Sequence, residues 1–225
     1  MHEMRAILLA KWPKIAAFSS RVSGKFRGLK DQSGFEGRLS DGILEYRLCE
    51  GLPSYRSTMC GDWTKVGTIG TTNPMPTVLT VYDGESSYIE TRRAGNCTTM
   101  RARGRLLGLE PIPHAKFLDT LDEYGVLITL PQCTIRGVKA LGLELVRSVS
   151  PPPTRVPVPS GFVRPSREAW WFDEDAGLPL RSESSADSER LVVNVDYETE
   201  WVASEESAEG PFRYEPPTGV TVLDF

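Results

Sequence analysis

Between Leu191 and Glu200, Leu191, Val193, Val195, Tyr197 and Thr199 alternate with Val192, Asn194, Asp196, Glu198 and Glu200. A period of two puts the first set on one face of a β-strand and the more polar set on the other. A strand with one apolar and one wetted face belongs to an antiparallel sheet packed on one side only. That requirement limits the rest of the chain more than any other feature. The remaining segments must supply further strands and something to cover the apolar face.

Other segments read the same way. Ile43 to Cys49 is strand-like, Gly51 to Ser54 is a turn, and Tyr55 to Met59 is the return strand. Thr77 to Tyr82 and Ser86 to Thr91 flank Asp83-Gly84, a hairpin signal because glycine accepts positive φ. Cys97 to Arg105, Val126 to Leu130 and Leu141 to Val149 read as strands. So do Arg167 to Asp173 and Leu180 to Ser184, around a turn from Glu174 to Pro179. Phe212 to Tyr214 and Val220 to Val222 are expected as short terminal strands. Gly67 to Pro76 reads as a loop, and Pro151 to Pro159, with five prolines in nine residues, as an extended connection.

Two helices are expected as the cover. Met4, Leu8, Trp12, Ile15, Phe18 and Val22 recur at steps of three or four and form one helical stripe, interrupted at Pro13. Pro111 to Tyr124 has Pro113 in its first turn and a stripe of Phe117, Leu118, Leu121 and Tyr124. The expected architecture is therefore α+β and mainly antiparallel β. The 225 residues suit one large β domain or two small ones, and the chain is read as one domain, 1–225.

Composition removes several functions. Twenty-six basic against thirty acidic residues give a net charge of −4, which argues against a dedicated nucleic-acid binder. Two histidines, His2 and His114, cannot build a multi-histidine metal centre, so no metal and no cofactor are expected. Cys49, Cys60, Cys97 and Cys133, separated by 11, 37 and 36 residues, match no metal or redox spacing. They are read as buried thiols, with disulfides as the alternative. No apolar run reaches the ~20 residues of a membrane span. The run Ala6 to Ala10 is too short for a secretory leader, leaving a cytoplasmic protein or one whose leader lies outside this sequence.

No nucleophile elbow, phosphate loop, HExxH or calcium loop is present, so no enzyme is expected. His114, before the second helix, reads as a surface or capping residue. The carboxylates Asp173, Glu174 and Asp175, and Glu205 and Glu206, fall in turns and read as solvated. Arg101, Arg103 and Arg105 point to one side of a strand. They form either a charged outer face or a docking surface for an anionic or membrane partner. The large strand residues Tyr46, Leu48, Tyr88, Trp170, Phe172, Val193 and Val195, with Trp12 and Phe18 from the first helix, form either a plain core or the lining of an apolar ligand cavity.

A family resemblance bears on that choice. Trp170-Trp171-Phe172-Asp173-Glu174-Asp175-Ala176-Gly177-Leu178-Pro179-Leu180-Arg181 resembles the W-x-D-x-x-TGLP-x-R hairpin of outer-membrane lipoprotein-sorting, LolA-like proteins. Phe212 to Val222 is similar to that family's closing F-x-x-x-PP-x-GV-x-V. Val81 to Tyr88 resembles its DG hairpin, and Ala17 to Val22 the end of its first helix. These segments occur in the family's order. The resemblance implies a strongly curved, incomplete β-barrel with helices over the concave face. It implies a non-enzymatic carrier that shields lipoprotein acyl chains or another lipid, located in the periplasm or otherwise outside the cytoplasm. Some relatives instead sense lipoproteins and regulate a membrane signalling partner. The chain departs from the family at the arginine before the proline of its RPN turn, where Leu52 precedes Pro53.

Overall fold

The computed structural model describes residues 2–30, 33–65, 72–104, 110–147, 167–186, 191–206 and 209–224. Helix α1 (His2–Lys11) and one 3-10 turn (Trp12–Lys14) lead into strands β1 (Ala17–Lys30), β2 (Ser33–Cys49), β3 (Leu52–Lys65) and the two-residue β4 (Asn73–Pro74). Strands β5 (Thr77–Tyr82), β6 (Ser86–Arg93) and β7 (Asn96–Arg103) precede helix α2 (Ala115–Tyr124). Strands β8 (Gly125–Ile135), β9 (Val138–Arg147), β10 (Arg167–Asp173), β11 (Pro179–Ala186), β12 (Leu191–Ala203) and β13 (Val222–Asp224) complete it.

All of these strands belong to one sheet, in the order β13-β7-β6-β5-β3-β2-β1-β12-β11-β10-β9-β8, with β4 beside β3. Among the described residues, every pairing is antiparallel except that of β13 on β7. The path never closes: β13 and β8 are its two ends. The expected fold class, an open curved sheet carrying two short helices, is what the chain adopts.

Curvature has a local cause. Register shifts fall between Val22 and Gly24 on β1, and between Ser40 and Ile43 on β2. Another lies between Ser19 and Ser20. Such bulges bend a strand and increase its twist. Near them the backbones crowd, and a Cβ on Gly61 would stand 2.0 Å from the Arg38 carbonyl oxygen. That oxygen belongs to the sheet and cannot move aside, so Gly61→Ala should cost about 1–3 kcal/mol. Equilibrium urea unfolding measures it, and an unchanged midpoint would show that the strands are not this close.

Three two-residue hairpins among the described residues use consecutive positive φ values: Glu50 and Gly51, Ala94 and Gly95, Arg136 and Gly137. These are the turns whose twist matches paired strands. The Arg136-Gly137 hairpin joins β8 to β9 and carries β8 past the strand end expected at Leu130. The Asp83-Gly84 turn is as expected. Asp83 Oδ1 accepts the Glu85 and Ser86 N–H groups at 2.9 and 2.7 Å, and Gly84 has φ +101°.

Several expectations need correction. The first helix ends at Lys11, and Phe18 and Val22 lie on β1 instead. Pro13 removes a backbone donor, and the following residues pair with β2 and β12, which satisfies their backbone groups better than a frayed helix would. Strand β2 starts at Ser33, well before Ile43. Phe212 to Tyr214 is irregular rather than a strand. The cysteines are free thiols, but Cys49, Cys60 and Cys97 are half-buried and Cys133 is exposed. Pro151 to Pro159 and residues 67–71 of the expected loop lie outside the described residues, and the rest of that loop includes β4.

Candidate functional site

Directly opposed residues share a face, so the register fixes which side chains point inward. One row runs Val195–Gly24–Leu39–Gly61, and another runs Phe18–Tyr46–Tyr55–Tyr82–Ser87–Ala102. From the other arm come Leu143, Trp170 and Ser182. Phe18, Tyr46, Tyr55, Tyr82, Leu143, Trp170 and Phe172 are all buried, and they form one apolar cluster with both helices. Phe18 stacks on Tyr46 at 5.6 Å, and Tyr55 lies 6.0 Å from Tyr82.

The helices cover only part of this inner face. In α2, Phe117 is fully buried, edge-on to Trp170 at 5.4 Å and to Phe172 at 6.1 Å. Its N-terminus is capped by His114, whose Nδ1 accepts the Lys116 N–H at 3.1 Å. Burial lowers the His114 pKa, which keeps that nitrogen an acceptor. Helix α1 contributes Met4 and Leu8, and Trp12 follows from the 3-10 turn. Arg5 ties the helices together through Asp119 at 2.7 Å and Asp122 at 2.5 Å.

The W-x-D…GLP hairpin is the seat for this cover. Asp173 Oδ1 accepts the Asp175 and Ala176 N–H groups, and Gly177 takes φ +74°. That turn presents the Gly177 carbonyl to Trp12 Nε1 at 2.9 Å. A side chain at Gly177 would also meet Trp12 at 3.2 Å. The carboxylates read as solvated are therefore in part turn-builders.

Beyond the helices the inner face continues. Phe26 lies 6.2 Å from Phe35, which lies 6.4 Å from Trp63. Gly37, opposite both Phe26 and Trp63, leaves room for the Phe26 ring, which would be 2.1 Å from a Cβ there. Helical periodicity through Phe18 and Val22 hides these aromatics in the sequence. The signal that marks them is the alternation Gly24-Phe26-Gly28 against Phe35-Gly37-Leu39.

Where the covered and uncovered halves meet, a cavity of about 160 Å³ opens to solvent. Met59, Glu110, Trp170, Ser182, Val195 and Tyr197 line it, with Glu168, Glu183 and Ser184 alongside. Under the helices the space is filled by side chains. Glu110 is buried, and its Oε2 accepts the Tyr55 hydroxyl at 3.1 Å. Burial pushes its carboxyl above the ordinary carboxylate range, although the Tyr55, Thr80 and Ser57 hydroxyls oppose the shift. Tyr197 is likewise raised by burial, and its hydroxyl lies 3.2 Å from the Ser182 hydroxyl. No sequence pattern flags Glu110, since a single carboxylate in a loop carries no periodicity.

Eight of the nine residues read as a candidate cavity lining come together around the inner face: Trp12, Phe18, Tyr46, Leu48, Trp170, Phe172, Val193 and Val195 belong to or pack against the apolar cluster. Tyr88 does not. It points to the outer face and stacks on Tyr214 at 4.8 Å. Tyr214 belongs to the closing motif, which crosses the back of the sheet. Its hydroxyl donates to Glu90 at 2.7 Å and contacts the Thr99 hydroxyl at 2.8 Å, and its pKa is pushed up to about 12, mainly by burial. Phe212 sits under the Arg47 and Arg56 guanidiniums. Arg101 is engaged by both oxygens of Asp224, at 2.6 and 2.8 Å. Arg103 is exposed, and Arg105 lies outside the described residues.

Two larger grooves, of about 650 and 530 Å³, open on the outer face. The first is walled by Lys25, Arg27 and Arg38 against Glu36 and Asp62, a mixed-charge surface suited to water. The second mixes Trp171, Leu130 and Ile135 with Arg27, Arg167 and Arg181. Two of these arginines are paired, Arg167 with Glu144 at 2.5 Å and Arg181 with Asp196 at 2.9 Å. Among the described residues, no group of three or more potential ligands could hold a metal ion.

No protein family matches the chain, and no curated protein does. Among solved structures it is similar to an uncharacterized conserved protein from Thermus thermophilus, at 12% identity over 99% of both chains with a TM-score of 0.48. It is similar to LprF from Mycobacterium bovis at 11% identity, covering 97% of this chain and 99% of that one, with a TM-score of 0.37. A putative outer membrane lipoprotein-sorting protein domain from Vibrio parahaemolyticus aligns at 12% identity over 90% and 89% of the two chains, with a TM-score of 0.32.

Proposed function

We propose that this chain is a single-domain, non-enzymatic binding protein that shelters an acyl chain of a lipoprotein or lipid on the inner face of its curved sheet, outside the cytoplasm. One observation carries this reading: the inner face holds an apolar cluster under the two ten-residue helices and further aromatic side chains, Phe26, Phe35 and Trp63, beyond it. An ordinary sheet would cover such a face fully or leave it polar. The order of the motifs supports it, because the GLP hairpin holds Trp12 and the closing motif braces the back of the sheet.

The open space described on the inner face is small. Pockets that enclose whole ligands run from about 300 Å³ upward, against about 160 Å³ here. An acyl chain therefore has to displace α2, which is held mainly by Phe117, Leu118 and Leu121. Each buried methylene returns ~0.8 kcal/mol, so a long chain can offset that loss.

Titration with a fatty acid bearing a fluorescent reporter tests the reading. Wild-type protein takes up the probe, and Val193→Lys, which places a charge on the half-buried inner face beside Phe26, weakens uptake at least tenfold. No uptake by the wild type, or equal uptake by the variant, refutes it.

A further inference from the structure

The 160 Å³ cavity carries a chemistry that acyl chains do not need. Its buried end is a carboxylate, that of Glu110, with aromatic side chains Trp170 and Tyr197 and the apolar Met59 and Val195 around it. Among the described residues, no Lys, Arg or His lines it. The donors around Glu110, the hydroxyls of Tyr55, Ser57 and Thr80, are neutral. They solvate the carboxylate without cancelling its charge, so among the described residues no cation compensates an ionised Glu110 next to the cavity.

A carboxylate set among aromatic and thioether groups is suited to a cation that is itself largely apolar. An alkylated ammonium meets that description. It gains from the carboxylate field and from aromatic faces, and it does not demand the many hydrogen bonds that a primary ammonium or a guanidinium would leave unmet here. The size also suits it. A cavity on the order of 150 Å³ holds a six-carbon ring, so a trimethylammonium group fits and a folded acyl chain does not.

We propose that the Glu110–Trp170–Tyr197 cavity is a binding site for a small alkylated ammonium group, either free in solution or on the headgroup of a lipid. The chemistry of this site is met by the cation without an acyl chain on the inner face.

Isothermal titration with choline and with its uncharged isostere 3,3-dimethyl-1-butanol tests the site. Wild-type protein prefers choline at least tenfold. Glu110→Gln, which keeps the shape and the hydrogen-bonding capacity, removes that preference and leaves binding of the isostere unchanged. Trp170→Leu weakens choline binding as a second, charge-preserving variant. Failure of the wild type to bind choline, equal affinity for choline and isostere, or a preference that survives Glu110→Gln overturns the proposal. Vesicles of phosphatidylcholine and of phosphatidylglycerol distinguish the sources. A phosphatidylcholine preference lost in Glu110→Gln assigns the lipid headgroup, and a Glu110-dependent response to free choline alone assigns the soluble cation. The fatty-acid titration reads the acyl-chain function separately, so either can fail without the other.

Discussion

Phe117→Ala lowers the free energy of unfolding by about 3–5 kcal/mol, the range for removing a large aromatic from a packed core. Phe117 is fully buried and meets both Trp170 and Phe172 edge-on, so its loss opens a cavity between α2 and β10. The helix cannot compensate. Its other buried apolar anchors are Leu118 and Leu121, with Tyr124 packed partly against the same cluster. Urea unfolding followed by far-UV circular dichroism gives the stability, and the same variant should bind an environment-sensitive apolar dye more strongly than the wild type. Loss of stability with no gain in dye binding would mean that α2 is a structural brace and that the face beneath it is not opened by loosening the helix. A change of less than ~1 kcal/mol would contradict the burial of Phe117 altogether.

Glu110→Gln should stabilise the protein, increasingly as pH rises. Burial raises the carboxyl above its ordinary value of 4.5. Between that value and the folded-state pKa, the native protein holds a proton that the unfolded chain has released. Stability contributed by the protonated carboxyl is thus complete below the ordinary value and is lost as pH rises through the folded-state pKa, with a slope approaching ~1.4 kcal/mol per pH unit. Gln cannot ionise, and its carbonyl still accepts from Tyr55 while its amide donates to the Ser57 or Thr80 hydroxyl. Unfolding midpoints from about pH 4 to about pH 8 should therefore coincide for the two proteins at the acid end and diverge above it. A variant less stable than wild type at the alkaline end would mean that ionised Glu110 is held by a charge partner. Tyr197 also faces this region, but burial raises its pKa far above this range, so its hydroxyl stays neutral throughout.

The two effects act on opposite sides of one boundary. Phe117 belongs to the sealed half of the inner face, where close packing leaves no room for a ligand. Glu110 sits where the seal ends and solvent reaches the sheet. Binding sites form at such boundaries because apolar surface is available there without a large cost in core packing.

Local pattern determined much of this architecture. The alternation from Leu191 to Glu200 specified a half-buried strand, and β12 is one. Asp83-Gly84 and the turn after Asp173 specified hairpins, because positive φ and side-chain acceptors are properties of a few adjacent residues. The stripe of α2 was legible, since Phe117, Leu118 and Leu121 recur at helical spacing within one segment.

Other placements were decided only by the tertiary structure. Phe18 and Val22 are four residues apart, a spacing that keeps them on one side of a helix and equally on one face of a strand. Only pairing with β2 and β12 selects the strand. Tyr88 looks like any inward aromatic in its own strand, and the register with Val81 and Arg101 turns it outward, where Tyr214 covers it. Glu110 becomes a buried carboxylate because Tyr55, Ser57 and Thr80 from two other strands surround it. Sequence periodicity fixes the relation between neighbours within an element. Which face turns inward, and which isolated charge is enclosed, depends on register and bulges between segments distant in the chain.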